Sequence, residues 1–183
     1  RIVITGGAGF LGARLARMEV HARLAGERAA AHLNAAQLLG SSQHADFTTV
    51  VRHDAPNTAS RQTVKNVLTG KSRGVFQGRI EVARIAQKTD GKQTTKALLL
   101  SDKAHVDTKP QLEIFADDVK CTHGATIGPL DPNALFYLKT RGVGAEAAAQ
   151  LLTYGFAADV VSRIDLPDVR ERLDRLVRAR LAA

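Results

Sequence analysis

DFTTVVRHD at residues 46–54, RQTVKNVLTG at 61–70, GVFQGRIEVARIAQKT at 74–89, KALLLSDKAHVD at 96–107 and QLEIFADDVKCTHGATIG at 111–128 succeed one another along the chain. Each is a short run, rich in β-branched residues, whose apolar positions recur every second residue, the period of a strand with one buried face. Gly, Asn, Asp and Pro separate the runs, and no 3.6-residue period intervenes. Strand follows strand without a helix between them. A sandwich, a barrel or a parallel β-helix all use that spacing. Two features favour the solenoid. Several runs turn Val, Ile, Leu or Ala inward beside small polar residues, and Asn57, Asn66 and Asp107 fall where stacked corners suit Asn or Asp.

Beyond Gly128 the period changes to that of helices. Asp131 is an N-cap with Pro132 at the first helical position, and Gly142 ends the helix that runs through Lys139. Residues 145–163 then place Ala149, Leu152, Phe156 and Val160 on one face, and residues 167–181 place Val169, Leu173, Leu176 and Leu181 on another. The expectation is a foreign, Rossmann-like segment over 1–17, from a fusion or misjoined sequence, then a strand-rich block over 18–130 and a small helical domain over 131–183. The first seventeen residues, RIVITGGAGFLGARLAR, read differently again: a β-branched run, then Gly6, Gly9 and Gly12, then a helix start. Glycines in that arrangement let main-chain N–H groups approach a pyrophosphate, as in NAD-binding folds. Composition gives no strand after them, because 18–40 is rich in Ala. The acidic residue expected about 20 positions on, Glu27, therefore has no strand to carry it. Neither Tyr137 nor Tyr154 has a Lys four residues later.

At 183 residues the chain excludes a large multidomain enzyme. Lys and Arg number 26 against 18 Asp and Glu, a net charge of +8, but 44% of the residues are hydrophobic, so this is no disordered polycation. Two Tyr, six Phe and no Trp leave little for stacking nucleic-acid bases, and the arginines of 168–183 are interleaved with Asp168, Glu171 and Asp174. Neither a nucleic-acid nor a membrane partner is expected, since no apolar run approaches the roughly 20 residues that span a bilayer. One cysteine, Cys121, forbids an internal disulfide and an all-thiolate metal site within one chain, which points to a reducing, cytoplasmic setting.

Cys121 and His123 are two residues apart, so on a strand both side chains leave the same face, about 6.5 to 7 Å apart along the chain. Thiolate and imidazole both bind iron, yet two ligands leave a metal or cluster incompletely held, so the others come from elsewhere. The alternative is a small buried thiol beside a histidine that satisfies a local carbonyl. Glu113, Asp117 and Asp118 form the densest acidic patch, and a turn is the expected role for the adjacent Asp117 and Asp118. His21, His32, His44, His53 and His105 show no metal-ligand spacing.

The segments Gln87–Thr89, Leu98–Ser101, Lys109–Ile114, Asp117–Lys120, His123–Thr126 and Leu135–Leu138 with Arg141 and Gly142 resemble the SufB/SufD family of iron–sulfur cluster assembly scaffolds. The resemblance extends upstream to about Met18, and Asp117–Cys121 with His123 is similar to the SufD form. It departs at Lys92, Thr94 and Thr95 and in the first seventeen residues, which resemble instead the start of extended short-chain dehydrogenases and NAD-dependent epimerases. The family implies a right-handed parallel β-helix with a C-terminal helical part and a scaffold without catalytic turnover. It also implies pairing with a SufB-like subunit through the end of the helix, with Cys121 and His123 beside a cluster held transiently at that junction and no stably bound cofactor. A SufC-like ATPase would dock on the helices, for which Leu135, Phe136, Tyr137, Leu152, Tyr154 and Phe156 are the candidate contacts. Two other readings stand beside it: an NAD(P)-dependent epimerase or dehydrogenase fragment using Gly6, Gly9 and Gly12, and a SufB-like cluster-assembly subunit.

Overall fold

A computed structural model describes residues 15–182. Eight strands come first: β1 (Leu15–Leu24), β2 (Ala30–Leu39), β3 (His44–His53), β4 (Ala59–Leu68), β5 (Arg73–Val82), β6 (Asp90–Leu99), β7 (His105–Ile114) and β8 (Lys120–Gly128). Three helices follow, α1 (Pro132–Thr140), α2 (Ala145–Ser162) and α3 (Pro167–Leu181). Odd strands make one parallel sheet in the order β1-β3-β5-β7, and even strands a second in the order β2-β4-β6-β8. Leu15 pairs with His44, His44 with Arg73 and Arg73 with His105. The chain thus returns to the same place after each pair of strands. This is a β-solenoid flattened into two sheets.

Each strand sends alternate side chains into the space between the sheets. In β3 these are Ala45, Phe47, Thr49, Val51 and His53, all buried, and in β5 they are Gly74, Phe76, Gly78, Ile80 and Val82. Register stacks like on like: Phe47 pairs with Phe76, their ring centroids 6.0 Å apart and tilted. Phe76, Leu68, Ile80, Val51, Val64 and Val82 are fully buried, each contributing about 1.5–3 kcal/mol by leaving water. The outer face of the odd sheet carries exposed ion pairs between rungs, Arg52 with Glu81 at 3.0 Å and Arg73 with Asp107 at 2.7 Å. The outer face of the even sheet is covered. Val67 and Leu98 share a cluster there with Ala157 and Val161 of α2 and Val177 of α3. Lys65 Nζ lies 2.8 Å from Asp159 Oδ2 and 4.6 Å from the Phe156 ring centre.

Four sequence expectations are corrected. Residues 15–17 belong to strand β1 rather than to a helix start, and the Ala-rich segment after them supplies the rest of β1 and β2. Alanine is a poor strand former on its own. Here the pairing of β1 with β3 and β2 with β4 fixes the backbone instead. Of the three presumed corner residues only Asn57 is in a corner, at φ 58°; Asn66 lies in β4 and Asp107 in β7. The buried face of α2 is rotated from the expected one. Ala148, Thr153, Ala157, Val160 and Val161 are buried, while Ala149, Leu152 and Phe156 are half-buried. In α3, Val177 is the buried residue and Leu176 is exposed. The capping of α1 is as expected: Asn133 N–H donates to Asp131 Oδ1 at 2.9 Å, and Gly142 has φ 84°, which glycine adopts without strain.

Candidate functional site

The strands β7 and β8 are the last of their sheets, so one end of the solenoid presents the rims of both. Cys121 and His123 sit there, on β8. In register, Cys121 continues the column Ala31, Ser60, Gly91, and His123 continues Leu33, Gln62, Gln93. These are inward columns: Ser60, Gly91, Gln62 and Gln93 are all buried. Cys121 packs in the cluster of Ile80, Val82, Ala86 and Ala116, its Sγ 3.3 Å from where a Cβ on Gly91 would lie. It is half-buried, and His123, at the rim, is exposed. Burial pushes the Cys121 thiol up, with a smaller push from the Asp90 charge and an opposing hydrogen bond from the Gly91 main chain. At neutral pH it is therefore a thiol, inert as a nucleophile, until a metal displaces its proton. Among the described residues no cluster of three or more His, Cys, Asp or Glu side chains could hold a metal ion. Cys121 and His123 thus stand on the same face of the last strand, with no further His, Cys, Asp or Glu among the described residues close enough to join them in a group of three.

Behind His123 lies a chain of buried polar groups. Thr49 Oγ1 donates to Gln62 Oε1 at 2.7 Å, Gln62 Nε2 donates to Gln93 Oε1 at 3.3 Å, and Gln93 Nε2 donates to the Gly78 carbonyl at 3.2 Å. Farther along the core, His53 Nδ1 meets Thr58 Oγ1 at 2.8 Å and its Nε2 meets Ser60 Oγ at 2.9 Å. Sequence reasoning assigned nothing to Gln62 or Gln93, because glutamine in an alternating run reads as outward-facing. The signal was available in their near-30-residue spacing to each other and to His123, once a coil length is known.

The other candidates are dispersed. Asp117 and Asp118 lie in the corner between β7 and β8, where Asp118 N–H donates to Gln87 Oε1 at 2.9 Å; Glu113, on β7, faces Arg79 at 3.6 Å. His105 Nε2 is 3.1 Å from Asp107 Oδ1, and the remaining histidines do not join Cys121. On α1, Phe136 is 68% and Tyr137 58% exposed, and with Leu135 and Ala149 Phe136 borders an apolar groove of about 280 Å3 between α1 and α2. Leu152 is half-buried. Tyr154 and Phe156 pack against the cluster that joins the helices to the even sheet. Tyr154 Oη donates to Asp174 Oδ1 at 2.5 Å, while the Arg178 guanidinium stacks 4.0 Å over its ring. These two hold the helices in place, whereas Phe136 and Tyr137 stay exposed on α1, with the Arg141 guanidinium 5.3 Å over the Tyr137 ring. Gly6, Gly9 and Gly12 lie outside the described residues.

Compared with known families, residues 4–156 match the SufBD core domain of the SUF iron–sulfur cluster assembly system. The chain belongs to the SufBD family. It is 41% identical over 155 residues to the iron–sulfur cluster assembly protein SufD of Escherichia coli, covering 85% of this chain and 37% of that protein. A SufBD family protein of Synechocystis is 35% identical over 170 residues, covering 93% of this chain and 38% of that one. SufD of Bacillus subtilis is 34% identical over 131 residues, with 72% and 30% covered. The chain spans less than two-fifths of the length of these SufBD relatives. The family match begins at residue 4 and so takes in the three N-terminal glycines. Among the described residues, no helix lies between strands as the doubly wound dinucleotide fold requires. No described helix is long and apolar enough to cross a membrane.

Proposed function

We propose that this SufBD-family chain acts as a SufD-like scaffold, pairing through the β7–β8 end of the solenoid with a SufB-like subunit and docking a SufC-like ATPase on its helices. The carrying observation is the placement of Cys121 and His123 together on the inward face of the last strand, where a partner's end must meet them. A thiol and an imidazole at such a junction supply two ligands, and the partner supplies the rest of the shell around a nascent iron–sulfur cluster. The cluster is cargo, assembled and passed on, so the chain itself needs no acid–base or nucleophilic machinery. Exposed Phe136 and Tyr137 beside the α1–α2 groove make the natural docking face for the ATPase, large aromatic side chains being typical interface anchors. The SufB-like alternative is less favoured, because two of the relatives above carry the SufD name.

Size-exclusion chromatography with light scattering, on the chain mixed with SufB-type and SufC-type subunits under reducing conditions, tests the proposal. One complex containing all three is expected, and the double substitution Phe136→Asp, Tyr137→Asp should release the ATPase while retaining the SufB-type subunit. Elution of the wild-type chain alone and monodisperse would contradict it.

A further inference from the structure

The outward side chains of the two sheets carry charge differently. On the odd sheet six Lys and Arg point outward among five Asp and Glu. Register there sets opposite signs side by side, Arg17 with Asp46 and Arg52 with Glu81. On the even sheet Arg61, Lys65, Lys92, Lys96 and Lys120 stand against one acid, Asp90. Here register sets like on like, Arg61 beside Lys92 and Lys65 beside Lys96. Like charges on neighbouring strands are destabilising unless something of opposite sign lies over them. Two of the five cations have such company, in each case a carboxylate. Arg61 pairs with Asp90, and Lys65 with Asp159, which α2 lays on the sheet at 2.8 Å. The helices cover the Val67 and Leu98 end of this face and go no farther. Lys92, Lys96 and Lys120 are exposed and engage no carboxylate among the described residues.

We propose that this bare part of the even sheet docks an acidic, extended segment of another protein, whose carboxylates take Lys120, Lys92 and Lys96 as Asp159 takes Lys65. Spacing supplies the match. Lys120 lies in register with Asp90, two residues before Lys92, and Lys96 lies four residues beyond Lys92. The three backbone positions therefore fall about 7 Å and then about 13 Å apart along the strand direction. An extended peptide advances by the same rise, so carboxylates at its first, third and seventh residues meet all three lysines. Steps of two and four also keep those carboxylates on one side of the peptide. Nucleic acid suits the face less well, because none of β2, β4, β6 and β8 carries an aromatic side chain on which a base could stack. The surface owes nothing to Cys121 and His123, which stand in the inward columns of β8 and so on its other side.

Amide 15N–1H correlation spectra of the full chain, titrated at low salt with the peptide Asp-Ser-Asp-Ser-Ala-Ser-Asp, test the proposal where surface charges are least screened. Saturable shifts confined to the amides of β6 and β8 are expected. Lys92→Gln, Lys96→Gln and Lys120→Gln together should weaken binding about tenfold, the sum of three exposed ion pairs of modest strength. The control Arg17→Gln, Arg73→Gln and Lys109→Gln, on the odd sheet, removes the same charge and should leave the affinity nearly unchanged. All six side chains are exposed and glutamine retains most of their length, so the dispersed spectrum of each variant verifies its fold. Absence of shifts, shifts on the odd sheet, or equal weakening by the two variants would overturn the proposal. Tighter binding of an oligothymidylate of equal charge to the same amides would overturn it too, in favour of a nucleic-acid partner.

Discussion

His53 shows what a single residue must satisfy to sit inside this solenoid. It is fully buried, with both ring nitrogens engaged by Thr58 and Ser60, and Thr58 in turn meets Thr89 at 3.1 Å. Burial lowers its pKa from 6.5, and the Asp54 charge only partly opposes this. In the unfolded chain the imidazole takes a proton at about 6.5; in the native state it does so only at lower pH. Between those values the unfolded state binds more protons, so stability falls as pH drops below 6.5 and levels off beneath the native value. Urea midpoints measured from pH 7.5 to 5 should decline for the wild type and decline less for His53→Gln, which begins less stable because it loses a ring hydrogen bond. Equal slopes for the two proteins would contradict this account of His53. Spacing alone gives His53 no metal-ligand partner and no other role. Its partners come from the following corner and strand, so the network exists only once the coil closes.

At the level of elements, the corners repeat as the strands do. Arg28, Asn57 and Lys88 have φ of 61°, 58° and 60°, in the turns that follow β1, β3 and β5. That left-handed conformation costs an ordinary L-residue about 1–2 kcal/mol, less for Asn, whose short side chain tolerates it. Asn57 therefore suits its corner, and its Nδ2 donates to Glu27 Oε1 at 3.1 Å. Lys88 is exposed, and its main-chain N–H bonds to the Asp118 carbonyl, which a substitution would keep. Lys88→Asn is expected to raise stability by about 0.5–1 kcal/mol, seen as a higher urea midpoint with an unchanged slope. A lower midpoint would show that the Lys88 side chain contributes something the corner geometry does not. The strands from β3 onward were legible because Val, Ile, Phe and Thr alternate clearly. Two others, β1 and β2, were not, since Ala carries no such signal and their strand form comes from pairing with β3 and β4. Asn57 was read correctly as a corner residue and Asn66 was not: the same residue type fits a left-handed corner or a buried strand position, and only the register decides. The Cys121–His123 pair was legible from spacing alone, whereas Gln93 behind it required knowing the length of a coil.

For the whole molecule, the two sheets face different surroundings. The odd sheet meets water with paired charges, and the even sheet is clamped by α2 and α3 through Val67, Leu98, Ala157, Val161 and Val177. Arg180 Nε adds a bond to the Leu38 carbonyl at 3.2 Å, and Lys65 joins Asp159. The helices are therefore fixed to the flank of the solenoid, while its β7–β8 end stays apart from them and bears Cys121 and His123. On the proposed function, the docking face for the ATPase and the end that meets the SufB-like subunit are thus two separate surfaces of one body. On the same proposal, His123 at this end becomes an iron ligand in the assembled complex. The direct measurement is pulsed electron paramagnetic resonance on the anaerobically reconstituted complex, its cluster reduced to a paramagnetic state, with 15N-histidine in this chain only. A hyperfine coupling of directly bound 15N that disappears in His123→Ala is expected. A cluster present at full occupancy with no 15N coupling from this chain would contradict it.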